Sequence, residues 1–204
     1  MGRVRHVLWI GGGSGGGKST VARALAARFG LRLYATDDVM PDHARRCPPA
    51  DCPCLARFAA MSMDERWLLR TPRTMFETFH WYRGEGFQFV ESDLRGSPEP
   101  VVAEGFRLLP SLVRPLLTEP HRAVWLLPTP EFRRAAFEHR GSLWQIAGRT
   151  SDPERALANL LERDRMFTER LRAETASHRL QAIEVDGSLT PDELTDAVAG
   201  ALRL

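Results

Sequence analysis

The sequence predicts an α/β fold: a doubly wound parallel sheet of about five strands, carrying a helical insertion. Three observations predict it. An apolar run, Val7 to Ile10, passes through a glycine-rich loop into a helical pattern of Val21, Leu25 and Phe29 with alanines between. Further short apolar runs follow, each bounded by turn residues and alternating with helix-period segments. Between the second and third runs, residues 40–99 show no strand-like alternation until Phe87–Val90 and read as mainly helical.

In chain order, Val7–Ile10 has the continuous apolar character of a buried parallel strand. Leu31 to Ala35 alternates loosely, reads as the second strand and delivers Asp37 and Asp38 to its carboxyl end. The insertion divides into Leu55–Leu69, Pro72–Tyr82 and Gly86–Gly96, with Thr71-Pro72 and Gly84-Glu85-Gly86 as breaks. Its aromatic content suits a lid over a pocket and a small helical core equally. After Ser97-Pro98-Glu99-Pro100, a third strand begins at Val101 and ends at Glu104-Gly105. Ala123 to Pro130 is the fourth. Glu131 to Arg140 follows as a helix bearing Arg133 and Arg134, and a loop over residues 141–150 brings Arg149. Asp152-Pro153 opens a long helix, aspartate as cap and proline in its first position, with apolar spacing at Ala156, Leu157, Leu160, Leu161, Phe167 and Leu171. Arg163 and Arg165 sit near its middle. A fifth strand over residues 182–185 runs into Asp186-Gly187-Ser188, and Thr190-Pro191-Asp192-Glu193 forms a capping box for a last helix to about Arg203. The expectation is one domain over residues 1–204, with 40–99 as an acceptor-binding insertion and 131–170 as a lid-like region.

The chemistry is written most plainly in the loop after the first strand. Gly12, four residues, then Gly17-Lys18-Ser19 is the GxxxxGK[ST] spacing of a phosphate-binding (Walker A) loop, in the strand–loop–helix context the motif requires. Glycines let successive backbone N–H groups close around a polyphosphate ahead of a helix N-terminus. Lys18 would bridge the outer phosphate oxygens, and the Ser19 hydroxyl would ligate Mg²⁺. A flexible glycine–serine linker would not sit between a buried strand and an amphipathic helix. Of 28 basic residues one is lysine, and it is Lys18. A compact ammonium is placed where a planar guanidinium would crowd the loop.

At the expected carboxyl edge, Asp37 could take a proton from an attacking hydroxyl or hold water on Mg²⁺. A helix cap or turn is the alternative for it and for Asp38. Glu104 could assist Mg²⁺ or bind an acceptor hydroxyl, and Arg107 could pair with an anionic acceptor, a solvated turn being the alternative for both. Arg45, Arg46, Trp67, His80 and Arg83 are further pocket candidates.

A net charge of +2 gives no argument for a nucleic-acid or membrane partner. No apolar stretch approaches the ~20 residues that span a bilayer, and the first apolar run is too short for a secretory signal. A cytoplasmic location is expected. Cys47, Cys52 and Cys54 lie close together with His43 upstream. Their odd number argues against a disulfide framework. Their irregular spacing lacks the paired knuckles of structural zinc sites, so ordinary loop cysteines are expected, with zinc as the alternative.

The segments "GGGSGGGKST", "TDDV", "VVAEGF", the arginine-bearing 131–165 region and "VDGSLTPDEL" together resemble the P-loop kinases of small molecules and nucleotides. That group holds adenylate, shikimate and gluconate kinases and chloramphenicol phosphotransferase. The strand end in "VVAEGFRLLPSLV" is also similar to that of uridine-kinase-like enzymes. The resemblance implies a P-loop, nucleoside-kinase-like fold and an ATP-dependent phosphotransferase using ATP and Mg²⁺. The loop, Gly12, Gly13, Ser14, Gly15, Gly16, Gly17, Lys18, Ser19 and Thr20, would bind ATP·Mg, with Asp37 as base. Lid arginines such as Arg140 and Arg149, with Arg163 or Arg165, would contact ATP, and Gly187 to Leu189 would line the adenine. The acceptor would be a small molecule bound among Asp38, Arg45, Glu104 and Arg107, by a monomer or homodimer. A nucleotide-binding regulator or switch is the other class. A guanine-reading Asn-Lys-x-Asp motif is absent, because the sole asparagine, Asn159, precedes leucine.

Overall fold

The computed structural model describes residues 4–140 and 142–204, with the side chains of all of these except 139, 140 and 142–144. Five strands form one sheet: β1 (Val7–Gly12), β2 (Arg32–Ala35), β3 (Val101–Glu104), β4 (Ala123–Pro128) and β5 (Gln181–Val185). Their spatial order is β2-β3-β1-β4-β5, and every pairing is parallel. The expected doubly wound, five-stranded sheet is therefore the observed one.

The helices explain how the sheet is covered. α1 (Lys18–Phe29) leads from β1 towards β2, and α2 (Thr36–Arg46) starts where β2 ends. The segment between β2 and β3 continues through α3 (Pro53–Ala60), α4 (Met63–Trp67), α5 (Pro72–Thr78) and α6 (Phe87–Arg95). Local sequence sets these boundaries. Ser62 and Glu65 form a reciprocal capping box on α4, and Thr71 caps α5 with Pro72 in its first turn. α7 (Pro110–Val113) follows β3, α8 (Pro130–Arg140) and α9 (Ser142–Ala147) follow β4, and α10 (Pro153–Ser177) leads back to β5. Asp152 caps α10 by accepting from the Arg155 amide, and the Thr190–Glu193 capping box starts α11 (Pro191–Leu202). The expected loop over residues 141–150 is corrected by α9, whose span from Ser142 to Ala147 holds neither glycine nor proline.

Both sheet faces are buried, and the strand period of two sorts each strand between them. Val7 and Trp9 of β1, Val101 and Ala103 of β3, and Ala123, Trp125 and Leu127 of β4 join the core shared with the insertion and α10. Leu8 and Ile10, Val102, and Val124 and Leu126 join the opposite core with α1 and α11. Trp125 also donates its indole N–H to the Leu108 carbonyl at 2.8 Å, fixing the chain after β3 against β4.

The cysteines depart from expectation. Cys47 and Cys52 are joined in a disulfide, while Cys54 is free and buried. Pro48 accepts hydrogen bonds from the amides of Asp51 and Cys52, and this tight turn brings the two Cα atoms to 6.0 Å, within bridging range. The proline turn decided the pairing, and residue number carried no information about it. His43 is engaged elsewhere: its ring nitrogens meet Asp93 and Arg107. Among the described residues, no helix is long and apolar enough to cross a membrane.

Candidate functional site

The carboxyl ends of β1, β2 and β3 meet at one edge. Strand register places Glu104 opposite Ile10 on one side and Ala35 on the other. The glycine loop, Asp37 and Glu104 thereby gather within one corner of the sheet, the edge at which open α/β sheets bind ligands.

The loop is shaped from both sides. The Gly13 amide donates to the Leu126 carbonyl at 3.0 Å. A Cβ on Gly12, whose φ is +136°, would lie 2.1 Å from that same oxygen, so only glycine permits so close an approach to β4. Ser14, Gly15 and Gly16 carry the loop round, and Gly17 starts α1 in the left-handed region. The first-turn amides of α1 have no intrahelical partners and face the loop's concavity as an anion site requires. Lys18 is buried with its ammonium donating to the Gly13 carbonyl at 2.8 Å, spanning the loop it closes. Ser19 is half-buried beside it, and Thr20 is exposed one residue on.

Glu104 is 4% exposed. Burial pushes its carboxyl above the usual range, against the opposing pull of the Lys18 charge and a hydrogen bond from Ser19, with Asp37 raising it further. A carboxylate, a hydroxyl and a second carboxylate form an all-oxygen donor set, the chemistry that suits Mg²⁺. The next residue, Gly105, has φ +148°, and a Cβ there would fall 1.7 Å from the Thr36 hydroxyl oxygen. That contact locks the turn after β3 onto the start of α2. It fixes Asp37, exposed in the first turn of α2, relative to Glu104.

The remaining expected site residues scatter. Asp38 lies in a groove of about 560 Å³ along the β2 edge with Arg32, Asp93 and Ser97, away from the cavity that Asp37 lines. Arg45 is exposed and paired with Asp42 at 3.2 Å, and Arg46 pairs with the same carboxylate. Arg149 is exposed beyond α9, and Arg165 is exposed and forked onto Glu162. The side chain of Arg140 lies outside the described residues. Gly187 and Ser188 form an exposed turn after β5, the Ser188 amide donating to Asp186 at 2.9 Å. α11, which begins just after this turn, reaches the loop: Leu194 lies 3.5 Å from where a Gly17 Cβ would be.

Arg107 is almost fully buried, stacked 4.0 Å from the Trp81 ring and donating to the Gly86 carbonyl at 3.2 Å. Burial brings its pKa down to about 10. Its other nitrogen faces His43 Nδ1 at 3.1 Å. A guanidinium can only donate, so Nδ1 accepts and the Nε2–H donates to Asp93 at 2.9 Å. Asp93 also accepts from the Tyr34 hydroxyl at 2.8 Å. This buried relay fastens α2, α6 and the post-β3 turn together, and Arg107 is a brace within it.

Two buried charged groups stand near the site: Arg133, which the sequence offered only as a helix residue, and Arg163, expected as an ATP-contacting lid arginine and found paired with Asp164. Arg133 is 1% exposed, and its Nε donates to the Ser14 carbonyl at 3.2 Å while Nη2 donates to the Thr168 hydroxyl. It ties the glycine loop to α8 and α10. Helix phase was the available signal, since Arg133 precedes the buried Phe137 by four residues. The second is the Arg163–Asp164 pair on α10. Both Nε and Nη2 of Arg163 donate to Asp164 Oδ1, at 2.9 and 2.6 Å, and the Tyr82 hydroxyl donates to the same oxygen at 2.8 Å. Asp164 falls at helical spacing between Leu160, Phe167 and Leu171, so a charge inside a buried stripe was the clue.

Arg163 and Asp164 border a cavity of about 360 Å³ whose lining begins at Ser14 and Asp37 and continues among the rings of Phe58, Trp67, Phe79 and Trp81. His80 lines it too, and burial takes its pKa down to about 3, so the ring is neutral under ordinary conditions.

Comparison with protein-family models finds no match, and comparison with curated proteins finds none. Solved structures match over nearly the full length. The crystal structure of an uncharacterized protein from Eubacterium ventriosum ATCC 27560 aligns over 97% of this chain and 98% of its own, at 14% identity and a TM-score of 0.47. Shikimate kinase from Aquifex aeolicus aligns over 97% and 96%, at 17% identity and a TM-score of 0.44. Deoxyadenosine kinase from M. mycoides, solved with bound dCTP, aligns over 97% and 98%, at 12% identity and a TM-score of 0.51. The last of these carries the fold. The chain has a P-loop kinase-like fold. Its parallel order, with the glycine loop between β1 and α1, is the frame in which the residues above take their places.

Proposed function

We propose that the protein is an ATP-dependent phosphotransferase acting on a hydroxyl of a small-molecule acceptor. One observation carries this reading. The glycine loop, the buried Glu104 hydrogen-bonded to Ser19, and Asp37 come from three adjacent strand ends, and Ser14 and Asp37 border an aromatic-lined cavity. The likeness in fold to deoxyadenosine kinase supports it.

Bound ATP·Mg would supply the transferable γ-phosphoryl group and the cation that neutralises its charge. The chain's own residues do the rest. Loop amides after Gly13 and the α1 N-terminus hold the phosphates. Lys18 exchanges the Gly13 carbonyl for phosphate oxygens, an exchange within reach of its flexible stem. Ser19 and Glu104 are the groups that would hold Mg²⁺, leaving the Asp37 carboxylate for the proton. Arg133 keeps the Ser14 end of the loop from opening. The acceptor oxygen forms its bond to the γ-phosphorus as the bond to the bridging oxygen breaks. That oxygen leaves on ADP with the electron pair, and the hydroxyl proton passes to the Asp37 carboxylate.

The test is a phosphotransfer screen with ATP and Mg²⁺ against hydroxylated small molecules, run beside Lys18→Ala. Transfer by the wild type, lost in a Lys18→Ala protein that melts normally, is the expected result. Undiminished transfer by Lys18→Ala would end this reading. ATP binding without transfer to any acceptor would favour a nucleotide-binding regulator.

A further inference from the structure

The 360 Å³ cavity is too well provided with unanswered hydrogen-bonding atoms to be a packing defect. His80, Arg163 and Asp164 all line it, and they are 2%, 6% and 1% exposed. Each keeps one buried polar atom without a partner: Nδ1 of His80, Nη1 of Arg163 and Oδ2 of Asp164. Buried polar groups are almost always hydrogen-bonded, so three orphans around one cavity point to a ligand that answers them. The arrangement is not accidental crowding. Three donors converge on Asp164 Oδ1, while Asp164 Oδ2 and Arg163 Nη1 are each left without a partner. The lining therefore holds one acceptor and two ring or guanidinium nitrogens that a polar ligand could answer. Around them the wall is aromatic, and the Arg163 guanidinium already lies 5.0–5.4 Å from the ring centroids of Trp67, Phe79 and Tyr82.

Charge narrows the class further. Arg163 is the cation in this lining, set against the carboxylates of Asp37 and Asp164. Arg107 is spent on His43 and the Gly86 carbonyl, Arg66 on the Phe58 and Ala59 carbonyls, and Arg133 on Ser14 and Thr168. Among the described lining residues, an anionic acceptor would meet two carboxylates against one guanidinium already paired with Asp164.

We propose that this cavity is the acceptor site and that the acceptor is an uncharged, flat, ring-bearing alcohol. Its ring lies among Phe58, Trp67, Phe79 and Trp81, its polar edge meets Arg163, Asp164 and His80, and its hydroxyl reaches Asp37. This rests on the phosphotransfer reading above and names the class of molecule that reading leaves open. A cavity of this size lies at the small end of ligand pockets, enough for one or two rings and a short arm.

The test measures binding to the full chain by calorimetry and tryptophan fluorescence, using matched pairs: adenosine with AMP, thymidine with thymidine monophosphate, and benzyl alcohol with 4-(hydroxymethyl)benzoate. ATP binding is titrated separately. At least one neutral member is expected to bind, about tenfold or more tighter than its charged partner, the discrimination a buried site with unmatched charge imposes. His80→Phe, which keeps a ring, and the double change Arg163→Met with Asp164→Leu, which leaves no lone buried charge, should each weaken that binding about tenfold. His80→Phe, at a ring that makes no side-chain hydrogen bond to the loop or to α10, should leave ATP affinity within about twofold. Charged members binding as tightly as neutral ones, or variants binding the neutral ligand unchanged, overturn the proposal. So does failure of every neutral member to bind while ATP still binds. Failure of ATP to bind, with ring-bearing alcohols still held, would instead overturn the phosphotransfer reading.

Discussion

His80→Phe separates what the cavity does for binding from what it does to stability. His80 is buried among Phe58, Phe79 and Trp81, with ring centroids 4.9, 4.7 and 4.5 Å away. Burial, with the Arg107 and Arg66 charges, lowers its pKa from 6.5 to about 3. The unfolded chain takes up a proton at this position near pH 6.5, and the folded chain refuses it until about pH 3. Folding stability therefore falls as pH drops through that window. At pH 4.5, two units below the unfolded value, the wild type should have lost about 2.7 kcal/mol to this group alone, at about 1.36 kcal/mol per unit. His43, whose pKa burial also lowers, adds its own loss equally to both proteins and cancels in the comparison. Urea melts followed by fluorescence at pH 7.5 and pH 4.5 give the difference directly. The wild type should lose roughly 2–3 kcal/mol more than His80→Phe between the two pH values. Equal losses, within about 0.5 kcal/mol, would refute the assignment of His80 as a neutral, buried ring.

Three further outcomes test the strand-edge chemistry. Asp37→Asn should lower turnover by about 10²–10⁴ with little change in ATP affinity, measured by steady-state kinetics and calorimetry. Wild-type turnover in that variant would exclude Asp37 as the base and leave it a first-turn residue of α2, where asparagine serves equally. Glu104→Gln should weaken Mg²⁺ binding, seen as a raised Mg²⁺ requirement for transfer. In the wild type that requirement should begin to rise, on acidification, at a higher pH than an ordinary carboxylate would set, because burial raises the Glu104 pKa. Arg133→Met should cost about 1–3 kcal/mol of stability by stranding the Ser14 carbonyl and Thr168, and should weaken ATP binding in calorimetry. Unchanged melting and ATP affinity would remove Arg133 as the brace of the loop.

What the sequence made legible follows from how local each signal is. Gly12, Gly17, Lys18 and Ser19 lie within eight residues, so their spacing and flanking strand and helix are visible together. Glu104 and Asp37 were reached by position, each coming at or just after the end of a short apolar run at the edge where parallel strands finish. Trp67 and His80, two of the pocket candidates, line the cavity, but its polar edge was not legible. Tyr82 meets Asp164 across 82 residues, and Arg133 meets Ser14 across 119, contacts set by the return of α8 and α10 over the sheet. Among 27 arginines, sequence could count guanidinium groups but not sort buried from exposed. Helix phase would have sorted two of them: Arg133 shares a face with Phe137, and the Arg163–Asp164 pair interrupts the stripe from Leu160 to Leu171. Arg149 and Arg165, favoured by their place in the lid-like region, are exposed. Asp38 turned away from Asp37 because consecutive residues in a helical turn point about 100° apart.

The two halves of the site are held by one element. α10 carries Thr168, which receives Arg133 from the loop side, and Arg163 and Asp164, which border the aromatic cavity. Thr168 and Asp164 lie one helical turn apart, and the Thr168 hydroxyl donates to the Asp164 carbonyl at 3.0 Å. A displacement of that turn would shift the Ser14 end of the loop and the polar edge of the cavity together. Every member of this chain is buried: Arg133, Thr168, Asp164, Arg163 and Tyr82. Buried side chains in close-packed interiors have few alternative positions, so the turn moves as a unit or not at all. The geometry relating loop to cavity is thus set by one helix face, and the distance from a held acceptor to a held phosphate is not left to two independently moving parts. That is the property proximity catalysis requires, since a misplacement of about 1 Å can cost about a hundredfold in rate.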